Sequence, residues 1–202
     1  MPMAKRLFDL LLASIGLLLL LPLGLGVALL IRLDSPGPVF FRQERVGRFG
    51  RIFRIHKLRT MQVDAPSVGP AVTVGVDPRI TRVGHRLRHY RIDELAQLID
   101  VLQGHMSLVG PRPELPRFVA HYPEPLRSQV LAVRPGITDP AALDHLDEAA
   151  LLADAADPEA HYIQAVLPRK LRAQADYAER ATLWSDLGVI ARTVGVLLRR
   201  RP

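Results

Sequence analysis

The chain has 202 residues, with 27 lysines and arginines against 20 acidic residues and no cysteine. That length buries one respectable core with appendages, and the lack of cysteine excludes disulfides, thiolate metal sites and a cysteine nucleophile while fitting a reducing compartment. Arginine supplies 24 of the basic residues and the formal charge is +7, which suits a phosphate-bearing partner because the planar guanidinium grips phosphate through paired hydrogen bonds; an Arg, Ala, Leu and Pro bias in a G+C-rich coding sequence gives the same composition.

From Leu10 to Ile31 the chain carries no charge for 22 residues, "LLLASIGLLLLLPLGLGVALLI". As a helix this run reaches about 33 Å, enough to cross a bilayer, and no small-residue cleavage site follows it, so it reads as a retained anchor. Pro22 sits near its middle, where it removes a backbone hydrogen bond and predicts a break, leaving each half too short to span. Lys5 and Arg6 precede the run, and Arg32, Arg42, Arg45 and Arg48 follow it. The excess of basic residues on both flanks places both on the cytoplasmic side. A helix that enters, breaks at Pro22 and returns satisfies this; a kinked spanning helix is the competing reading.

"PVFFRQERVG" and "GRIFRIHKLRTM" alternate apolar and basic residues around Gly47 and Gly50 and predict a β-hairpin. Residues 62–78 read as loop. "RITRVGHRLRHYRIDELAQLIDVLQG" reads mostly as helix, with Leu95, Leu98, Ile99 and Leu102 as an apolar stripe and Gly104 as its stop. "HMSLVGPRPELP" is a Gly- and Pro-punctuated loop, "PRFVAHYPEPLRSQVLAV" a helical segment, "RPGITDP" a turn, and residues 143–180 a charged helical stretch. The last segment, "ATLWSDLGVIARTVGVLLRRR", spaces Leu183, Trp184, Leu187, Ile190, Val194 and Leu198 along one face. It fits either an interfacial or a core helix.

Asp93 and Glu94 stand behind five arginines between Arg79 and Arg91. Acidic residues at a helix start commonly just complement the macrodipole. Here Arg88, one turn away, joins the positive helix end in keeping a carboxylate ionised and holding a phosphate beside it. Neighbours on a helix diverge by about 100°, so the two cannot act as a symmetrical dyad. Asp93 shares a face with Gln97 and Asp100, a polar edge suited to substrate or to Mg²⁺. A carboxylate also serves as a covalent nucleophile in group transfer. His56, His85, His89 and His105 lack the spacing of a zinc ligand set.

"KRLFDLLLASIGLLLLLPL", "DSPGPVFFRQERVGR", "IFRIHKLRTM", "DPRITRVG", "RIDELAQLIDVLQGHMSLVGPRPE" and "VRPGIT", in this order and over essentially the whole chain, resemble the bacterial sugar transferase family, the monotopic phosphoglycosyl transferases. The resemblance implies an α/β, mostly helical, membrane-associated domain with a re-entrant N-terminal helix at 1–33, amphipathic interfacial helices and a catalytic domain at 34–202. It implies transfer of a sugar phosphate from a UDP-sugar to polyprenyl (undecaprenyl) phosphate, with Mg²⁺, at the cytoplasmic face of the bacterial inner membrane. Asp93 is then the nucleophile and metal ligand, Glu94 the assistant at the acceptor, and Lys57, Arg59, Arg88, Gln97, Arg112 and Arg134 the donor-binding residues. Leu21, His105, Asp139 and Leu146 depart from the family pattern, which commonly has Ser, an acidic residue, Gly and a basic residue there. A catalytically inactive, membrane-tethered nucleotide-sugar binding or scaffolding protein is the alternative. A nucleic-acid partner is not expected, since charge alone suggests it and the apolar run stays unexplained. Oligomeric state, monomer or homodimer, is left open.

Overall fold

The computed structural model describes residues 3–65, 77–141 and 157–199. The apolar run and its flanks form one helix, α1 (Met3–Asp34), of 32 residues, about 48 Å at the usual rise against a hydrocarbon core of about 30 Å. It carries Pro22 in its interior rather than ending there; one lost hydrogen bond amid leucines does not terminate so long a helix. Leu7, Leu11, Leu18, Leu19, Leu25 and Leu29 are exposed. Among the described residues α1 is the one helix long and apolar enough to cross a membrane.

Its opposite side is built into the body. Ala13, Leu17 and Leu20 join Phe53, Ile55, Leu98, Val101 and Met106 in one core cluster, while Val27 and Ile31 join Leu58, Leu87 and Ala96 in a second. Both helix ends are fastened as well. Near the start, Lys5 Nζ lies 2.5 Å from Asp186 Oδ2, Ser107 Oγ donates to Asp9 Oδ2 at 2.8 Å, and Arg6 donates to the Val101 carbonyl at 2.8 Å. At the far end the Val83 N–H donates to Asp34 Oδ2 at 3.0 Å, and Arg59 donates to the Ser35 and Pro36 carbonyls at 2.8 and 2.6 Å.

The expected hairpin is present. β1 (Phe40–Val46) pairs antiparallel with β2 (Ile52–Leu58), from Phe40 opposite Leu58 to Val46 opposite Ile52. Alternation along β2 sends Phe53 and Ile55 into the core beside α1 and puts Lys57 on the same side, two residues on.

The single helix expected over residues 79–104 is instead three pieces. α2 (Arg82–His89) starts at Thr81, whose hydroxyl accepts from the Gly84 N–H at 3.0 Å. Arg91 then turns left-handed, with φ 56° and ψ 21°, and a tight 3₁₀ turn (Ile92–Gln97) leads into α3 (Leu98–Leu102). Packing explains the break: Leu87 and Ala96 feed one core cluster and Leu98 and Val101 the other, and the helical stripe read from the sequence would have served only one.

"HMSLVG" and "RPGIT", expected as loop and turn, contribute a parallel pair, β3 (Ser107–Val109) and β4 (Gly136–Thr138). Segments this short, bounded by Gly and Pro, show no alternation to read. Their backbones continue in contact: a β-carbon on Gly136 would lie 2.1 Å from the Gly110 nitrogen, so only glycine fits there. Beyond them α4 (Pro116–Val119), α5 (Leu126–Leu131), α6 (Pro158–His161), a π-turn (Tyr162–Val166) and α7 (Leu167–Arg180) pack around Phe118, Val130, Leu167 and Leu171. The helical reading of 143–180 thus holds for its described part; residues 142–156, Leu146 among them, and 66–76 lie outside the described residues. α8 (Leu183–Arg199) buries Val189 against Val109 and Tyr177 and turns Trp184, Leu187 and Val194 outward, Trp184 being 83% exposed. The architecture is mostly helical with two small sheets.

A buried ion pair braces the loop after β3. Glu114 Oε1 accepts from Lys170 Nζ at 2.8 Å and from the Tyr162 hydroxyl at 2.7 Å. Burial opposes ionisation of Glu114, but Lys170 and Arg45 outweigh it and hold the carboxyl below its usual range. Removing one partner of such a pair strands the other charge, so Glu114→Ala should cost about 3–5 kcal/mol, read as a lowered denaturation midpoint of the detergent-solubilised protein.

Candidate active site

The left-handed residue Arg91 decides where Asp93 and Glu94 sit. A non-glycine residue in that conformation costs about 1–3 kcal/mol. It ends α2 and starts the 3₁₀ turn so that both carboxylates face β2. Asp93 is 1% exposed and Glu94 6%. In place of diverging, they converge on one cation: Lys57 Nζ lies 3.0 Å from Asp93 Oδ2 and 3.3 Å from Glu94 Oε1. The helix-dipole contribution expected at this position is lost with the helix. Side-chain cations replace it.

Arg112 approaches from the loop after β3 and makes a two-point contact with Glu94, Nη1 at 3.2 Å from Oε2 and Nη2 against Oε1. Arg91 Nη1 adds a contact at 3.5 Å. Burial opposes ionisation of Glu94, yet Arg112, Lys57 and Arg91 together hold its carboxyl well below the usual carboxylate range. A carboxylate so held is a weak proton acceptor and a firm orienting anion. Arg88 reaches the same region from α2, its Nε donating to Thr60 Oγ1 at 2.9 Å. Burial draws the Arg88 pKa down, and the nearby Asp93 opposes that. α2 can lie this close to Thr60 because residue 84 is glycine: a β-carbon there would stand 2.0 Å from the Thr60 carbonyl oxygen.

Asp93 keeps one oxygen unspent. Oδ1 is buried and has no hydrogen-bond donor, a costly condition for a carboxylate that an electrophile or cation at that oxygen would relieve. Among the described residues no group of three or more His, Asp or Glu is placed to hold a metal ion. The arrangement therefore offers one carboxylate oxygen without a donor, an ionised partner in Glu94, and Lys57, Arg88 and Arg112 nearby, a set that fits a diphosphate presented to a nucleophile.

Other residues predicted for the site are placed differently. Gln97 is buried in the same 3₁₀ turn, one turn on from Glu94. Asp100, read as part of the same polar edge, is committed to β2: its Oδ2 accepts the His56 N–H at 2.8 Å and its Oδ1 lies 2.8 Å from His56 Nδ1. The 3₁₀ turn changes the angular spacing on which that shared edge relied. Arg59 spends its hydrogen bonds on carbonyls at the end of α1, and Arg134 donates to the Gly104 carbonyl at 2.8 Å. Two residues escaped the sequence reading as site components. Arg91 was visible only as one of five arginines. Asp139 stood out as a departure, and its carboxylate accepts the Arg112 N–H at 3.0 Å.

The depressed Glu94 pKa sets a pH dependence. Its contribution to stability is complete above the unfolded-state value of about 4.3 and is lost as pH falls through the lower folded value. The stability difference between the wild type and Glu94→Gln should therefore be widest above pH about 4.3 and narrow steadily on acidification, measured by denaturant titration at several pH values.

Residues 1–200 match the family described as bacterial sugar transferase. The chain is 39% identical over 196 residues to the UDP-N-acetylgalactosamine-undecaprenyl-phosphate N-acetylgalactosaminephosphotransferase of Aeromonas hydrophila, covering 96% of this chain and 43% of that protein. It is 39% identical to the UDP-glucose:undecaprenyl-phosphate glucose-1-phosphate transferase of Caulobacter vibrioides, over 96% of this chain and 69% of the relative. Similarity to the exopolysaccharide production protein PSS of Rhizobium leguminosarum is 53% identity over 109 residues, 54% of each chain. The chain thus spans between 43% and 69% of the length of these relatives.

Proposed function

Because the chain belongs to the bacterial sugar transferase family, we propose that it transfers a sugar phosphate from a UDP-sugar to undecaprenyl phosphate at the cytoplasmic face of the bacterial inner membrane, releasing UMP. The observation that carries this reading is the buried, undonated Asp93 Oδ1 set among Lys57, Arg88, Arg112 and ionised Glu94. The relatives' substrates, UDP-N-acetylgalactosamine or UDP-glucose with undecaprenyl phosphate, are the phosphates such a site suits.

In the first step an Asp93 oxygen attacks the phosphorus that bears the sugar, a P–O bond forms, and the bond to UMP breaks with its electron pair leaving on UMP. In the second, a phosphate oxygen of the lipid attacks the same phosphorus and the Asp93 carboxylate is released. Splitting one transfer into two displacements lets a single carboxylate serve a soluble donor and a lipid acceptor in turn. Lys57, Arg88 and Arg112 stabilise charge that develops on the diphosphate. Glu94, held ionised, orients the incoming lipid phosphate through the cations it shares. Asp93 Oδ1 fits Mg²⁺, which takes one or two carboxylates and fills its shell with substrate phosphates and water; when bound, it would neutralise the donor diphosphate.

The re-entrant reading of α1 gains support from its attachments. Lys5 and Asp34, at opposite ends of the helix, are both bound to the same body, as a helix with both ends on one side of the membrane requires. The exposed leucines of α1 and the outward Trp184 of α8 supply a lipid-facing surface with an aromatic at its border.

Donor given without acceptor should yield a stoichiometric burst of UMP and a protein heavier by one sugar phosphate, seen by mass spectrometry. Asp93→Asn should abolish both, and Glu94→Gln should slow turnover while the adduct still forms. Arg88→Ala should lower kcat/KM roughly 10²-fold in a folded protein. Sequential kinetics with no adduct would count against the covalent route. For topology, single cysteines at positions 3 and 43 should both resist an impermeant thiol reagent in intact cells, and Pro22→Leu should render a fraction of them unequal.

A further inference from the structure

Asp139, just beyond β4, is 2% exposed. Among the described residues no cation pairs with this buried carboxylate, and its contacts are hydrogen bonds. Oδ2 accepts the backbone N–H of Arg112 at 3.0 Å and Gln174 Nε2 at 2.5 Å. Oδ1 accepts the Ala141 N–H at 2.9 Å. Three elements meet at this group: the Gly110–Pro113 loop, the chain leaving β4, and α7. The other end of Arg112 is the fork on Glu94, so a residue that fixes the Arg112 backbone also fixes where that fork points. Gly110 and Gly136 press the same two segments together just upstream, which constrains the loop on one side of Arg112. Asp139 constrains it at Arg112 itself.

We infer that Asp139 is a positioning residue for the transfer reaction: it anchors the Arg112 backbone to β4 and, through Gln174, to α7, and so aims the Arg112 guanidinium at Glu94 and the donor phosphates. The inference rests on the phosphoglycosyl transfer reading for its chemistry and on the hydrogen bonds alone for its geometry. An arginine fork misplaced by a fraction of an ångström loses most where charge develops in the transition state, so the loss belongs in kcat and not in donor binding.

The test is a double-mutant cycle in the full chain in detergent, with UDP-glucose and UDP-N-acetylgalactosamine as donors, undecaprenyl phosphate as acceptor, and UMP release as the readout. Asp139→Ala should lower kcat about 10-fold or more with donor KM changed less than about 3-fold, and should have no further effect in an Arg112→Ala background. Asp139→Asn, whose one oxygen can serve the Arg112 N–H while its NH₂ faces the Ala141 N–H, should recover part of the activity. Equal losses in both backgrounds, or an Asn variant as poor as Ala, would overturn the positioning role. If Asp139→Ala does not fold, Gln174→Leu, which frees Asp139 from α7, takes its place in the cycle with the same expectations. Hydrogen exchange of segment 110–115 is read in the same variants without substrate: faster exchange there, with β1 and β2 unchanged, supports the anchor, and unchanged exchange overturns it even where no donor turns over. A wild type that releases no UMP from either donor, yet shows the expected exchange, refutes the transfer reading and leaves the anchor standing.

Discussion

Asp93 and Glu94, adjacent in the chain and nearly shut off from water, need cations beside them, because a buried charge without a partner is costly. Here Lys57 lies between them and Arg112 and Arg91 close on Glu94, and these cations hold the Glu94 carboxyl ionised against its burial. Each cation arrives on a different piece of the chain, and much of the fold serves to bring those pieces together. The hairpin delivers Lys57, the break at Arg91 turns the pair toward it, and the β3–β4 pair supports the loop that carries Arg112. Burial makes the arrangement possible and also hazardous. The same exclusion of water that strengthens attraction leaves any stranded charge costly.

Around this centre lies a set of buried polar anchors, each tying one catalytic piece to its neighbour. His56 and Asp100 join β2 to α3, Thr60 receives Arg88, Asp139 holds the Arg112 backbone, and Glu114 with Lys170 braces the end of the same loop. None of these need touch substrate. They limit how far Lys57, Arg88 and Arg112 can drift relative to the two carboxylates, and small drift is what electrostatic catalysis tolerates least.

Much of this was legible in the sequence where a period or a charge pattern carries the signal. The apolar run, the alternating hairpin, and the pair at Asp93 and Glu94 with Arg88 nearby could be read before any coordinate, whereas Lys57 and Arg112 were tied to the pair only by the family resemblance. Illegible were features decided by distant partners. Nothing local marks Arg91 as left-handed; the need to feed two separate core clusters does. Arg59 sits in the same basic motif as Lys57, but two residues along a strand make the difference between a carboxylate and the carbonyl end of α1. Asp100 kept helical spacing with Asp93 only on paper, because the 3₁₀ turn rotates the register. The β3–β4 pair was hidden by its brevity.

The contact between Lys5 and Asp186 imposes an order of events on the making of this protein. At about 5–20 residues per second, the ribosome needs roughly 10–35 s to travel from one to the other. Through that interval the Asp186 carboxylate does not yet exist, and the ammonium at the head of the apolar run has Asp9 one turn away, itself joined by Ser107 once that residue is made. The Lys5 end of α1 thus gains its contact with α8 only after α8 itself has been made.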